Sequence, residues 1–345
     1  MKEVKTRDSI GLVISHDITR IIPGGEKSVA FKKGHIIREE DIEGLLKLGK
    51  ANVFVWENDG TLLHENEAAA VLADIVSGSG DNFSYGEVKE GKIEIFAGRD
   101  GVLRVDKEKL AVLNEFDEVM VATRHDYTPV RAGDKVAGTR IIPLAISLSR
   151  IDEVRKSAAR GKGSGAALSL FSYQPKRVAI VTTGSEVFEG LIEDGFTPIV
   201  RGKLSEYEIE DLGNLKSSDN PDMTAKAILR MAGLGADVIL VTGGMSVDPD
   251  DRTPLAIMNT GAKVVSYGAP VLPGAMFMMA YLGDVAILGL PGCVMHSKRT
   301  ILDLILPRVM AGLRVSKQDI IDLAAGGLCL SCEVCIFPSC SFGAV

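Results

Sequence analysis

The 345-residue sequence lacks the features of several protein classes. It has no clustered Lys/Arg surface, and a net charge of -7 with a pI near 5.4 argues against binding to a nucleic-acid backbone. No apolar run reaches the roughly 18 residues of a membrane helix, because prolines, a glycine and an aspartate break the longest mild stretch, 268–292. The first residues lack the apolar core of a signal peptide. We therefore expect a cytoplasmic protein that binds neither nucleic acid nor membrane.

Cysteine is also scarce, and four of the five cysteines lie near the C-terminal end. Cys329, Cys332, Cys335 and Cys340 follow the pattern C-x2-C-x2-C-x4-C. Cytoplasmic cysteines are usually thiols or metal ligands. This spacing fits a four-thiolate site for Zn²⁺ or an iron–sulfur cluster, and it does not choose between them. The alternative is a set of redox-sensitive or disulfide-forming thiols at a frayed terminus.

The sequence that is present divides into four predicted segments. Residues 1–56 form a small unit, in which Leu45 and its neighbours predict an amphipathic helix that stops at Gly49. Residues 57–172 predict a β-rich, antiparallel α+β region, with a hairpin at 98–101 and a Gly/Ser/Ala linker at 160–169. Residues 173–312 predict an α/β domain, and residues 313–345 form the Cys-rich tail.

In the α/β segment, continuous apolar strands alternate with helices, a pattern that indicates a parallel sheet buried on both faces. Such sheets bind ligands at the carboxyl ends of their strands. Three strands end in glycine loops, in VAIVTTGSE, VILVTGGMS and AILGLPGC. We expect Gly184, Gly243, Gly244 and Gly292 to gather around one cleft, where a ligand phosphate could approach the backbone closely.

The second glycine loop continues into an acidic segment, DPDDRTP. Thr253 is predicted to cap the following helix, with Pro254 at its first position. Asp248, Asp250 and Asp251 would repel a nearby phosphate unless a cation lay between them, and Mg²⁺ is the natural choice. The alternative is a solvated turn in which the aspartates bond the local backbone.

VAIVTTGSE, SSDNPD, VTGGMSVDPDDRTP, LPGAM and GLPG together resemble, in order, the molybdopterin-binding domain of molybdenum cofactor biosynthesis proteins. The N-terminal KKGHIIREEDIEGLLKLGKANVFV is also similar to the region that precedes this domain in molybdopterin molybdotransferases. The resemblance implies a three-layer, mostly parallel α/β domain that holds the pterin on its glycine loops. One branch of the family adenylylates molybdopterin with Mg-ATP, and the other inserts molybdate into adenylyl-molybdopterin.

Matching motifs carry the family's site residues onto this chain. The implied catalytic acids are Asp251 and Asp219, and the implied ligand-binding residues are Gly184, Ser185, Glu186, Gly243, Gly244, Ser246, Thr253, Pro273, Gly274, Pro291 and Gly292. Three of them have structural alternatives: Asp219 as a helix N-cap, Glu186 as a first-turn residue that satisfies the helix dipole, and Ser246 as a partner of its own loop.

The resemblance therefore predicts an enzyme of molybdenum cofactor biosynthesis that uses Mg²⁺ with molybdopterin or adenylyl-molybdopterin and ATP or molybdate. It also implies a homo-oligomer. A non-catalytic molybdopterin carrier with a redox- or metal-sensing Cys tail is the alternative, and a nucleotide- or pyrophosphate-processing hydrolase is a third possibility.

Overall fold

The computed structural model describes residues 2–20, 28–55, 60–78, 80–160, 165–246 and 251–344. The chain divides into two compact units. The first contains residues 1–98, 105–124 and 132–169, and the second contains residues 99–104, 125–131 and 170–345. No helix within the described ranges is long and apolar enough to span a bilayer.

The first unit combines short antiparallel sheets with helices. With strands numbered along the chain, it contains β1 (Lys2–Lys5), β2 (Ile18–Arg20), β3 (Ser28–Phe31), β4 (Asn52–Val55), β5 (Leu62–His64), β6 (Phe83–Tyr85), β7 (Lys92–Ala97), β9 (Val119–Thr123), β11 (Lys135–Ile141) and β12 (Ala145–Ser147). Its helices are α1 (Asp41–Lys47), α2 (Glu65–Ser77), α3 (Lys107–Asn114) and α4 (Leu148–Ala158), with a 3₁₀ turn at Thr6–Asp8.

Alternating burial explains the main sheet of this unit. Strands β6, β7, β11 and β9 pair antiparallel in that order, and in β7 the residues Ile93, Ile95 and Ala97 are buried while their neighbours face outward. Helix α2 packs its alanines and Leu72 on β7 and β11. The predicted antiparallel α+β character of this region is confirmed. The predicted helix at Leu45 is α1, and Gly49 ends it with φ +76°.

The predicted hairpin at 98–101 is wrong. β7 belongs to the four-stranded sheet, whereas β8 (Gly101–Val105) lies between β10 (Pro129–Val130) and β13 (Leu168–Ser172) in a different sheet. Neither Gly98 nor Gly101 has a positive φ. A side chain at Gly98 would overlap the Asp81 carbonyl, and one at Gly101 would overlap the Phe171 carbonyl. These glycines therefore allow close backbone contacts and do not form a turn.

The second unit holds the large sheet. Besides β8, β10 and β13, its strands are β14 (Lys176–Thr183), β15 (Ile209–Ser217), β16 (Val238–Thr242), β17 (Lys263–Tyr267), β18 (Met278–Leu282) and β19 (Val285–Leu290). Its helices are α5 (Ser185–Phe188), α6 (Phe196–Leu204), α7 (Pro221–Gly233), α8 (Thr253–Asn259), α9 (Ile301–Met310) and α10 (Lys317–Asp322), with a 3₁₀ turn at Gly292–Met295.

The six strands lie in the order β15-β14-β16-β19-β18-β17. The first four are parallel, and β18 and β17 run antiparallel to their neighbours. Successive residues along each strand point alternately into two separate hydrophobic cores. Val200 of α6 and Ile305 of α9 pack on one face, and Ile228 of α7 and Ile257 of α8 pack on the other. The expected three-layer, mostly parallel α/β domain is confirmed.

Three details of this domain differ from what the sequence predicts. The edge strand β15 has no predicted counterpart, because its sequence IEDLGNLKS is polar and mostly half-buried. The sequence pattern does not separate strand β18 from the mild stretch 268–292 that contains it. The sequence also predicts a helix over 296–312, but this helix, α9, begins at Ile301, because Thr300 and Asp303 form a capping box there.

Candidate functional site

The three predicted glycine loops meet at one edge of the large sheet. In the parallel register, Thr182 of β14 lies beside Thr242 of β16, and Thr242 lies beside Leu290 of β19. The loops that contain Gly184 and Gly292 therefore start at neighbouring positions. Gly243 and Gly244 follow β16 directly between them. The structure thus places these glycines on one rim.

The second glycine loop needs glycine at Gly243 and Gly244, because neighbouring residues leave no room for a side chain there. Gly243 and Gly244 have φ values of +86° and +54°, which favour glycine. A side chain at Gly243 would overlap the Thr183 carbonyl, and one at Gly244 would lie 2.7 Å from Thr253 Oγ1. The hydroxyls of Thr183 and Thr253 are themselves 3.1 Å apart. These two glycines therefore allow segments of the protein itself to approach one another closely.

Gly184 and Gly292 are placed differently. A Cβ at Gly292 would meet no atom within 4 Å, and the nearest atoms to one at Gly184 lie 3.8 Å away. There is therefore open space beside Gly292 and no steric overlap at Gly184. Glu186 lies exposed in the first turn of the short helix α5.

Asp219 contacts the first glycine loop and does not cap α7. Its Oδ2 accepts hydrogen bonds from the amide and the hydroxyl of Ser185, both at 2.8 Å. The N-cap of α7 is Asn220, which accepts from the amides of Asp222 and Met223. The capping alternative for Asp219 is therefore wrong, since one residue further along the chain supplies the cap.

Asp251 is bound to its own loop. Its Oδ2 accepts the amide of Ser246 at 2.8 Å. Asp248 and Asp250 lie outside the described residues. Thr253 is already inside α8 and does not cap it, because its hydroxyl contacts Thr183 instead of a helix amide. Pro254 accordingly occupies the second helical position and not the first.

The later loops complete the same rim. The start of β18 lies beside the end of β19, so the preceding loop with Pro273 and Gly274 reaches this edge. A Cβ at Gly274 would lie 2.6 Å from the Ile301 side chain, and the Ile301 amide donates to the Pro273 carbonyl. Pro291 precedes the 3₁₀ turn at Gly292–Met295. Packing on α9 thus fixes Gly274.

Sequence reasoning missed Asp194, which organises the strand ends beneath the rim. Its carboxylate accepts hydrogen bonds from the Thr182 hydroxyl at 3.0 Å, from Asn214 at 2.9 Å, and from the amide and hydroxyl of Thr197. Burial raises the pKa of Asp194, but these hydrogen bonds outweigh burial and hold the pKa below its usual value. The signal was an Asp two residues before the first residue of α6, Phe196.

The four tail cysteines lie near one another but are not arranged around a single point. Among the described residues, which include all four, no three His, Cys, Asp or Glu side chains are placed to hold one metal ion. Cys329 and Cys340 are partly buried against the core, whereas Cys332 and Cys335 are exposed. The four-thiolate site for Zn²⁺ or an iron–sulfur cluster stays a prediction.

The four thiols instead line a cavity of about 450 Å³. Its other wall comes from residues 296–299, which directly follow the rim turn at Gly292–Met295. Lys298 donates to the Glu333 carbonyl at 2.9 Å, and Arg299 pairs with Asp303 at 2.9 Å. The tail therefore lies next to the segment that continues from the third glycine loop.

Two family models match the chain. Residues 179–311 match a family described as "Probable molybdopterin binding domain", and residues 3–57 match a domain of unknown function. The CinA-like protein of Mycolicibacterium vanbaalenii is 36% identical over 78 residues, which cover 22% of this chain and 18% of that protein. The matched part is thus less than a fifth of that relative's length.

Solved structures are similar to part of the chain. The molybdopterin biosynthesis enzyme MoaB from Thermus thermophilus is 24% identical with a TM-score of 0.32, and the match covers 40% of this chain and 97% of that one. The molybdopterin biosynthesis Mog protein from Mycobacterium ulcerans is 20% identical with a TM-score of 0.32, covering 40% and 96%.

Proposed function

We propose, from a molybdopterin-binding domain at residues 179–311, that the glycine-loop rim binds molybdopterin and that the chain is a transferase of molybdenum cofactor biosynthesis. The reaction is either insertion of molybdate into adenylyl-molybdopterin or adenylylation of molybdopterin with ATP. Both need a site for a phosphorylated pterin beside an acidic group. The observation that carries the proposal is the meeting of all the matched glycine loops on one edge of the sheet.

The open space beside Gly292 and the uncrowded position of Gly184 support pterin binding at this rim. Ligands of parallel sheets bind at the carboxyl ends of the strands, and a phosphate can approach glycine backbone closely. The network of Asp194 with Thr182 and Thr197 supports the same loops from below, so that the rim is rigid before the ligand arrives.

Asp251 and Asp219 support the transfer step. In each carboxylate, Oδ2 accepts a hydrogen bond from a loop amide. This bond fixes the orientation of the carboxylate. Mg²⁺ takes one or two carboxylates together with phosphate oxygens and water, so this donor set fits the ion. When bound, Mg²⁺ would neutralise charge that develops on the phosphate. The acids would hold the ion, and Ser185 would hold Asp219 in place.

A substitution of Asp251 tests this role. We expect Asp251→Asn to keep molybdopterin binding but to lower release of AMP or pyrophosphate by on the order of 100-fold, because the loop keeps its amide partner and loses a charge. The assay supplies molybdopterin or adenylyl-molybdopterin, Mg²⁺, and ATP or molybdate.

Asp284→Asn is the matched control, since Asp284 is fully exposed at the opposite end of β19. Normal turnover by the Asp251 variant would disprove the metal role.

A non-catalytic carrier is the second candidate. It is favoured by the hydrogen bonds that Oδ2 of Asp219 and Oδ2 of Asp251 already make within the protein. A carrier would bind molybdopterin tightly with no AMP or pyrophosphate released under any of these conditions. Release of either product at a rate that depends on Asp251 would exclude this candidate.

A further inference from the structure

The first unit contains a polar cavity that the proposed function does not use. Its volume is about 280 Å³, and eight of the twelve residues that line it are ionisable. The cavity lies at the start of α2, beside β11 and the segment around His16. All of these residues belong to the first unit, so the site can be considered without the pterin domain.

Two oppositely charged side chains line this cavity without a hydrogen bond or ion pair to the described residues. The Nε of Arg140 is buried and has no hydrogen-bond partner, and no hydrogen bond or ion pair joins the Arg140 guanidinium to a described residue. Glu65 is only 9% exposed, and its carboxyl likewise has no hydrogen bond or ion pair within the described chain. Burial raises the pKa of Glu65, and the charge of Arg140 opposes this rise without a hydrogen bond between the two side chains. A buried polar group without a hydrogen bond destabilises the folded state, so two such groups in one cavity indicate a ligand between them.

Two other side chains of the cavity wall, His64 and Asp17, already form hydrogen bonds with the backbone. His64 donates from Nε2 to the Ser15 carbonyl at 2.6 Å, and its Nδ1 accepts the Asn66 amide, so it is a neutral helix cap. Asp17 accepts the amide of Lys33 at 2.7 Å. These bonds build the wall and fix the start of α2.

The side chains that have no hydrogen bond or ion pair in the described chain favour the binding of an anion. Besides Arg140, the ammonium of Lys50 has no hydrogen bond or ion pair to the part of the chain that the structure describes. His16 stays neutral, since burial and the nearby Lys50 lower its pKa. Burial also raises the pKa of Glu65. Among the wall groups without a hydrogen bond or ion pair in the described chain, Arg140 and Lys50 are cations, and the carboxyl of Glu65 needs a hydrogen-bond donor.

We propose that this cavity binds a small organic oxyanion, a carboxylate or a phosphate monoester, that carries a neighbouring hydroxyl or ammonium group. The anionic end lies against Arg140 and Lys50, and the donor lies against Glu65. Each of these three groups then gains a hydrogen-bond partner that the described chain does not supply.

Four probes separate the parts of this proposal, titrated by calorimetry into the full chain at neutral pH. Glycerate and glycerol 3-phosphate carry both the anion and the hydroxyl, whereas propionate lacks the donor and glycerol lacks the anion. We expect saturable binding of at least one of the first two, and binding that is at least about tenfold weaker for propionate and glycerol. Comparison of the first two probes distinguishes a carboxylate from a phosphate ligand.

Variants locate the site. Arg140→Gln should weaken binding by roughly tenfold or more, and Glu65→Gln should reduce the preference for glycerate over propionate. Arg124→Gln is the control, because Arg124 lies in the same unit and pairs with Asp134 outside the cavity. Lys50→Gln replaces Arg140→Gln if that variant does not fold.

No saturation by any probe, or equal affinity in the Arg140, Lys50 and Arg124 variants, would overturn the proposal and leave a water-filled cavity. Molybdopterin binding, measured in parallel, reports on the rim and is expected to stay unchanged in all of these variants.

Discussion

Cys335 and Cys293 lie in opposite electrostatic surroundings. A hydrogen bond from the Phe337 amide lowers the pKa of the Cys335 thiol, and Arg299 and Lys298 add to the effect. Burial raises the pKa of Cys293. Since the thiolate is the reactive form, the two cysteines should differ in reactivity although they belong to the same unit.

We expect iodoacetamide to alkylate Cys335 at least about tenfold faster than Cys293 near neutral pH. Mass spectrometry of peptides from a time course measures both rates in one sample. Arg299→Gln should slow the reaction of Cys335, whereas Arg314→Gln, whose guanidinium stacks on Tyr281, should not. Equal rates for the two cysteines in the native protein would contradict the prediction.

The sequence revealed the glycines of the rim but not what surrounds each of them. The strand-end positions of Gly184 and Gly292 followed from apolar runs, and the structure leaves both open. The crowding of Gly243 and Gly244 depends on Thr183 at the end of β14 and on Thr253 at the start of α8. Such contacts between distant parts of the chain cannot be read from local composition.

The carboxylate of Asp303, in the first turn of helix α9, contacts four polar groups. Asp303 accepts the Thr300 amide at 2.8 Å, pairs with Lys203 at 2.7 Å and with Arg299 at 2.9 Å, and approaches the Thr300 hydroxyl at 3.4 Å. Its side chain is only 5% exposed. The carboxylate therefore joins α9 to α6, which carries Lys203.

We expect Asp303→Ala to reduce the free energy of unfolding by about 3 kcal/mol, because it removes the cap and leaves two poorly solvated cations without their partner. Urea denaturation followed by circular dichroism measures the change. Asp284→Ala, at a fully exposed position, should leave the midpoint unaltered. A loss for Asp303→Ala no larger than for this control would show that the cluster contributes nothing.

Sequence patterns predicted helices and buried strands better than strand direction. The run that forms β18, MMAYL, is apolar throughout, as a buried parallel strand would be, yet it runs antiparallel. Polar β15 gave no strand signal because it pairs on one side only, with β14. Strand direction and edge position depend on the whole sheet, and a local window does not contain that information.

At the scale of the molecule, the buried His64 and the half-buried His16 connect the stability of the first unit to pH. Burial, aided by Lys50, lowers the pKa of His16, and burial, aided by Lys33, lowers that of His64. The unfolded chain then takes up protons near the usual histidine pKa of about 6.5, before the folded unit does. Their contribution is complete above that pH and is lost as pH falls toward the folded values.

We expect the free energy of unfolding to decline between pH 7 and pH 5, by at most about 1.4 kcal/mol per pH unit for each proton. His16→Gln should flatten this decline. Glu65 acts with the opposite sign, since its pKa is raised and the folded unit takes its proton first. Glu65→Gln should therefore make the decline steeper, and chemical denaturation at each pH measures all three proteins.

The division of the chain has a consequence for inheritance. Strands β8 and β10 come from the first half of the sequence, yet they belong to the second unit, where Tyr127 stacks between Arg104 and Arg308. A single genetic crossover near residue 172 would transfer the pterin-type domain without these partners. A fragment that began there would leave Arg308 without the ring of Tyr127, so the second unit depends on two segments from the first half of the sequence.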